Sequence, residues 1–257
     1  MRKTILAVCL AGGLSVLCAA EDLPGYTDSP FLPNSKWRVH DPSRPQPKII
    51  SPGTGDIGVA PPQDAIALFD GTNFDAWQRS DRKPIDGKIE NGAFNIRQTG
   101  QLQTKREFGD FQLHLEWSTP TERADRMNWG NSGVLIMGGF EIQIIESHDS
   151  FIYADGNAGA IYGQFPPLVN PARKAGDWQS FDVFFTAPKF EKNKLTVPAY
   201  ATVVYNGVLV QNHQAILGIT THRALPSAYP VKETGPIVLQ EHHSGVKFRN
   251  IWIRTLE

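Results

Sequence analysis

The run Phe140-Glu141-Ile142-Gln143-Ile144-Ile145-Glu146 sets two carboxyls and a carboxamide among strand-forming residues. Side chains alternate between faces along a strand. Phe140, Ile142 and Ile144 therefore point one way, and Glu141 and Gln143 the other. Trp129-Gly130-Asn131-Ser132-Gly133 precedes this run, and His148 follows it. A carboxylate beside amide donors and an aromatic wall suits a sugar site and acid–base chemistry on the sugar. Glu141 is the first candidate for a base, because a carboxyl among isoleucines is costly to bury without a task. Asn131 and Gln143 are expected to clamp the substrate, and His148 or His242 to donate the proton. Glu116, Trp129, Glu146, Tyr162 and Gln240 complete the expected contacts. Each has a plainer reading: Glu116 as a solvated strand residue, Asn131 as a turn former, His148 as a loop residue, Trp129 and Tyr162 as core.

The elements that must position these residues read as strands and turns. Asn91-Gly92 and Asn206-Gly207 each separate two apolar-alternating runs, a hairpin signal because both turn residues take positive φ. Phe111, Leu113, Leu115 and Trp117 share one face, and Gln112, His114 and Glu116 the other. No long segment has helical periodicity. Many short strands in one domain of this length predict an all-β sandwich of two antiparallel sheets.

Met1–Ala20 has the pattern of a secretory signal: Arg2 and Lys3, then an apolar run, then Cys18-Ala19-Ala20 as a small-residue cleavage site. A secreted or periplasmic protein beginning at Glu21 is expected, with lipoprotein cleavage at Cys18 as the lesser alternative. The run is too short for a membrane span. Both cysteines, Cys9 and Cys18, fall inside it, so the mature core must hold without a disulfide. Residues 21–63 form a Pro-rich segment that is expected to dock in part near Trp37, and the sandwich domain fills 64–257. A formal net charge of −1 gives no basic footprint for nucleic acid or anionic membranes. No phosphate loop and no metal motif is legible. No cofactor is evident, a divalent ion (Ca²⁺ or a catalytic one) built from scattered Glu and His stays open, and so does the oligomeric state.

Several ordered pieces carry a resemblance. They are Leu68-Phe69-Asp70-Gly71 with Trp77, Phe108-Gly109-Asp110-Phe111 running to Leu115-Glu116-Trp117, and the Asn128–His148 stretch. Further on come Gly159-Ala160-Ile161-Tyr162-Gly163, Gly176-Asp177-Trp178-Gln179, Asn206-Gly207-Val208, Leu239-Gln240 and Phe248-Arg249-Asn250-Ile251-Trp252. Together they resemble the bacterial 3-keto-disaccharide hydrolase, or 3-keto-glucoside 1,2-lyase, domain family. The resemblance implies a concanavalin A-like jelly roll with a sugar site on a concave face. The polar faces of Gln112–Glu116 and Glu141–Gln143 would line it together. It also implies an enzyme that cleaves 3-keto-glycosides, with a small oligosaccharide or glycoside as substrate, by lyase or net hydrolase chemistry. Two alternatives stand beside it. A non-catalytic carbohydrate-binding module would use the same groove. Glu141-x-Gln143-x-x-Glu146 also resembles the E-x-D-x-x-E strand of retaining β-glucanases, with Gln143 replacing the middle Asp. That pair would need a β-bulge to return Glu146 to the groove.

Overall fold

The computed structural model describes residues 24–53, 57–123, 127–149 and 151–256. The expected signal peptide lies outside them. Within them the chain is a jelly-roll-like β-sandwich with almost no helix. The larger sheet runs in the order Val208–Ala215, Tyr200–Tyr205, Gln179–Thr186, Phe111–Ser118, Lys247–Thr255, Ala93–Asn95, Ile89–Glu90, with Ile66–Phe69 also paired to Lys247–Thr255. The smaller sheet runs Trp77–Arg79, Leu102–Thr104, Val238–Leu239, Ser132–Ile136, Phe140–Ile144. Both Asn-Gly pairs make the expected turns: Asn91 and Gly92, and Asn206 and Gly207, all have positive φ between paired antiparallel strands. No helix among the described residues is long and apolar enough to cross a membrane.

The core forms where the apolar faces of the two sheets meet. Phe111, Leu113 and Leu115 are wholly buried from one side, and Phe140, Ile142 and Ile144 from the other. The rings of Phe140 and Phe185 lie 6.2 Å apart across the gap. This packing corrects one expectation. Because the inner faces of the Phe111–Ser118 and Phe140–Ile144 strands pack toward each other, their polar faces must leave the sandwich in opposite directions. Glu116 and Glu141 therefore stand on opposite outer faces and cannot line one concavity.

Glu116 is buried all the same, in a charged network of its own. It accepts from Arg249 Nε at 2.7 Å, Asn250 Nδ2 at 2.8 Å and the Gly58 backbone N–H at 2.6 Å. A register shift in the Lys247–Thr255 strand between Arg249 and Trp252 turns Asn250 toward it. His114 lies 3.8 Å from Glu116 and 2.8 Å from Asp182. Burial opposes charge on both groups. The hydrogen bonds from His114, Asn250, Gly58 and Arg249 nonetheless hold Glu116 down to about 2, and Asp182 with Glu116 pushes His114 up to about 9.

The segment before the sandwich lies against it. Lys48–Ile49 pairs in parallel with Val169–Asn170, and Val59 O accepts from Asn250 Nδ2. Trp37 is only partly covered, and the deepest residues of the segment are Val39 and His40.

Glu116→Ala should cost about 2–4 kcal/mol, since it leaves Arg249 without its carboxylate and His114 with Asp182 alone. The sign with pH follows from the two shifts. Glu116, depressed in the fold, stabilises above its unfolded pKa and loses that contribution as pH falls from about 4.5 towards about 2. His114, raised in the fold, stabilises below its unfolded pKa and loses that contribution as pH rises from about 6.5 towards about 9. Denaturant unfolding at several pH values should show the gap between wild type and variant widest near pH 5–6 and narrower on both sides.

Candidate active site

On the outer face of the smaller sheet lies a cleft of about 540 Å³, within the size range of small-molecule sites. Its floor is the hairpin of Ser132–Ile136 and Phe140–Ile144. The hairpin register is regular, with Gly133 opposite Gln143 and Leu135 opposite Glu141. The turn at Met137 and Gly138 has positive φ at both residues, which sets Gly138 and Gly139 on the cleft edge. Tyr153, Tyr162, Thr220 and His222 rise on one side, and Asn131, Gln240 and His242 on the other.

Glu141 is the central residue. Only 6 % of it is exposed, and no side chain among the described residues makes a hydrogen bond to its carboxyl. Gly133 makes room for it: a Cβ there would come within 2.6 Å of Glu141 Oε1. Desolvation pushes its pKa up to about 8. A carboxyl so tuned exchanges protons near neutral pH, as a general base must.

Its neighbours are hydrogen-bonding groups. Gln143 Oε1 accepts the Ile144 backbone N–H at 3.1 Å, which orients the amide. Gln240 Oε1 is buried with no hydrogen-bond partner among the described residues. Asn131 Nδ2 lies 3.4 Å from His242 Nδ1, tying the loop before the hairpin to the loop after Val238–Leu239. Opposite them, Tyr153 and Tyr162 share a hydroxyl contact of 2.6 Å, and Tyr162 reaches His222 Nδ1 at 3.0 Å. Burial drives both phenols well above their ordinary range, so they remain protonated donors. Burial, then the nearby His40 and Arg223, hold His222 below the usual imidazole value.

Of the residues expected from sequence, the cleft gathers Asn131, Glu141, Gln143, Tyr162, Gln240 and His242. It does not gather Glu116, Trp129, Glu146 or His148. Trp129 is buried at the sandwich end, where its Nε1 donates to Pro120 O at 2.8 Å. Glu146 lies two residues past the end of its strand, buried on the Tyr205 side and outside the cleft lining. Its carboxylate receives the backbone N–H groups of His148 and Asp149. His148 pairs with Asp149 at 2.9 Å in that turn. Sequence reading missed Tyr26, Tyr153 and His222, which reach the cleft from loops and have no strand alternation to betray them. Among the described residues no group of three or more His, Asp or Glu side chains is placed to hold a metal ion.

A second hollow of about 820 Å³ borders the cleft and shares Asn128 and His242 with it. It is larger, but it is lined by loop residues such as Pro120, Glu122 and Ser244 and contains no buried carboxyl like Glu141. The smaller cleft is therefore the better candidate for chemistry.

Comparison with known proteins bears on this geometry. A family model described as a 3-keto-alpha-glucoside-1,2-lyase-like domain matches residues 64–254. A crystal structure of a candidate glycosyl hydrolase from Parabacteroides distasonis ATCC 8503 is 38 % identical, with a TM-score of 0.74 over 82 % of this chain and 93 % of that one. Another structure so described from the same organism is 23 % identical, with a TM-score of 0.54 over 75 % of this chain and 99 % of that one, and shares the fold. A search of curated proteins found no match.

Unfolding measurements test the state of Glu141 without any substrate. An acid with a raised folded pKa destabilises the fold progressively as pH rises from its unfolded value through its folded one. Glu141→Gln should therefore match wild type in stability near pH 4.5 and exceed it by about 2–4 kcal/mol above pH 8. Equal stability at both pH values would mean that the carboxyl is solvated.

Proposed function

The chain belongs to the 3-keto-alpha-glucoside-1,2-lyase-like domain family, and from that premise we propose that it cleaves 3-keto-glycosides by elimination at C1 and C2. The observation that carries this reading is the buried carboxyl of Glu141, poised near pH 8 on the cleft floor. A carbonyl at C3 of the sugar acidifies the proton on C2. Glu141 in its ionised form takes that proton, and the C2–H electrons move onto the C3 oxygen as an enolate. Donors in the cleft, Tyr162 and the Gln143 amide, suit that developing charge. The electrons then return, the C1–O bond breaks, and the leaving oxygen takes a proton from His242. The product is a sugar with a double bond between C1 and C2, conjugated to the C3 ketone. Water adding across that bond, with OH at C1 and H at C2, completes a net hydrolysis.

The geometry favours this over direct glycoside hydrolysis. A retaining pair needs two carboxyls about 5–5.5 Å apart, and the second carboxyl of the strand motif, Glu146, is occupied in a turn away from the cleft. One base and a set of neutral donors match an elimination better. The steps use side chains alone, and an EDTA arm in the assay reports whether a divalent ion takes part. We also propose that the protein is exported, on the pattern of Met1–Ala20. Intact mass of the periplasmic or secreted protein should place its first residue at Glu21.

The test is release of a chromogenic aglycone from a 3-keto-glucoside beside its unoxidised parent. The wild type should release it from the keto substrate alone, with kcat/KM rising with pH through about 8 as Glu141 ionises. Glu141→Gln should lower kcat by about 10²–10⁴ while the fold persists. His242→Ala should slow a poor alkoxide leaving group far more than a nitrophenolate, which needs no acid. Release from both substrates, or from neither, would refute the reading.

A further inference from the structure

The family model begins at residue 64, yet part of the cleft wall comes from before it: Tyr26 lines the cleft beside Tyr162 and His222. Tyr26 is held there by a lap of chain. Residues 26–40 double back, with Leu32 N donating to Trp37 O and Val39 N to Pro30 O, both at 3.0 Å. Tyr26 N closes the lap on His40 O at 2.8 Å. Gly25 permits the crossing, since its φ is +138° and a Cβ there would collide with the His40 carbonyl oxygen.

The end of the lap is bolted into the domain. His40 is wholly buried, its backbone N–H donates to Asp155 Oδ2 at 3.0 Å, and its Nδ1 lies 3.1 Å from Asp155 Oδ1. Arg44 stands 3.7 Å from the same carboxylate. The His40 ring lies 3.9 Å from that of Tyr153, directly behind the tyrosine wall. At the open end, Arg223 bonds both carboxylate oxygens of Asp28, at 2.8 and 2.9 Å, and its guanidinium lies 4.0 Å from the Tyr26 ring centre. The lap is thus fastened near both of its ends, to Arg223 and to Asp155, along the tyrosine–histidine wall of the cleft, with an aromatic ring presented between the fastenings.

We propose that residues 26–40 are a substrate clamp. The Tyr26 ring packs against the apolar C–H face of the keto-sugar, and the Asp155–His40 pair is the positioning element that holds it there. The clamp rests on the function proposed above and names a sugar contact outside the matched domain. A ring contact of this kind adds affinity without taking part in bond making.

Calorimetric binding of methyl 3-keto-glucoside, both anomers, to the turnover-blocked Glu141→Gln protein separates the two ideas. Adding Tyr26→Ala should weaken binding about tenfold while the protein stays folded at the assay temperature, and Tyr26→Phe should restore it. Asp155→Asn should weaken binding similarly, and adding it to Tyr26→Ala should do little more, because both act through one ring. If Asp155→Asn does not fold, His40→Gln, which keeps the backbone bond to Asp155, replaces it. In wild-type background Tyr26→Ala should raise KM and leave kcat within about twofold. Binding indifferent to Tyr26→Ala overturns the clamp and leaves the elimination reading intact. Tyr26-dependent binding by a wild type that never releases product supports the clamp and refutes the elimination. No sugar binding at all overturns both.

Discussion

Everything in the cleft depends on a parity constraint. A strand has only two faces, and the Phe140–Ile144 strand buries both of them. One face is locked by Phe140, Ile142 and Ile144 in the core. That leaves Glu141 and Gln143 no choice but the other, where loops cover them. A carboxyl between a sheet and its loops is neither paired nor well hydrated, and its tuning follows from that position. The core thus fixes the chemistry indirectly, by deciding which atoms are denied to it.

The same parity separates what sequence could say from what it could not. Alternation in Phe111–Trp117 and Phe140–Ile144 gave both sheets, and Asn-Gly gave two of the turns. That Glu141 and Gln143 share one strand face was legible because Phe140, Ile142 and Ile144 claim the other; that loops cover that face was not, since a polar face opposite an apolar one can equally meet water. Alternation says nothing of which sheet a strand joins, however. Glu116 and Glu141 have similar local patterns, yet opposed sheets send them to opposite sides of the sandwich. Trp129 is near the site in sequence, but its indole satisfies a backbone carbonyl elsewhere.

The aromatic wall was the least legible part. Tyr153 and Tyr162 come from an irregular stretch between strands, His222 from another, and Tyr26 from a proline-rich lead. Each is placed by long-range contacts that no local period encodes. Their pairing through hydroxyl and imidazole groups joins three separate segments around one space. That space is bounded opposite by Asn131 and His242, themselves linked.

Asp155 has one more consequence. Its carboxylate is completely buried, and its partners His40 and Arg44 both come from upstream of residue 64. A polypeptide starting at the limit of the matched family would leave this acid without those donors. Glu116 would lose its bond from Gly58 at the same stroke. The stretch matched to the family and the stretch that packs as one body therefore differ in extent, since residues upstream of 64 supply partners to two acids buried within the match.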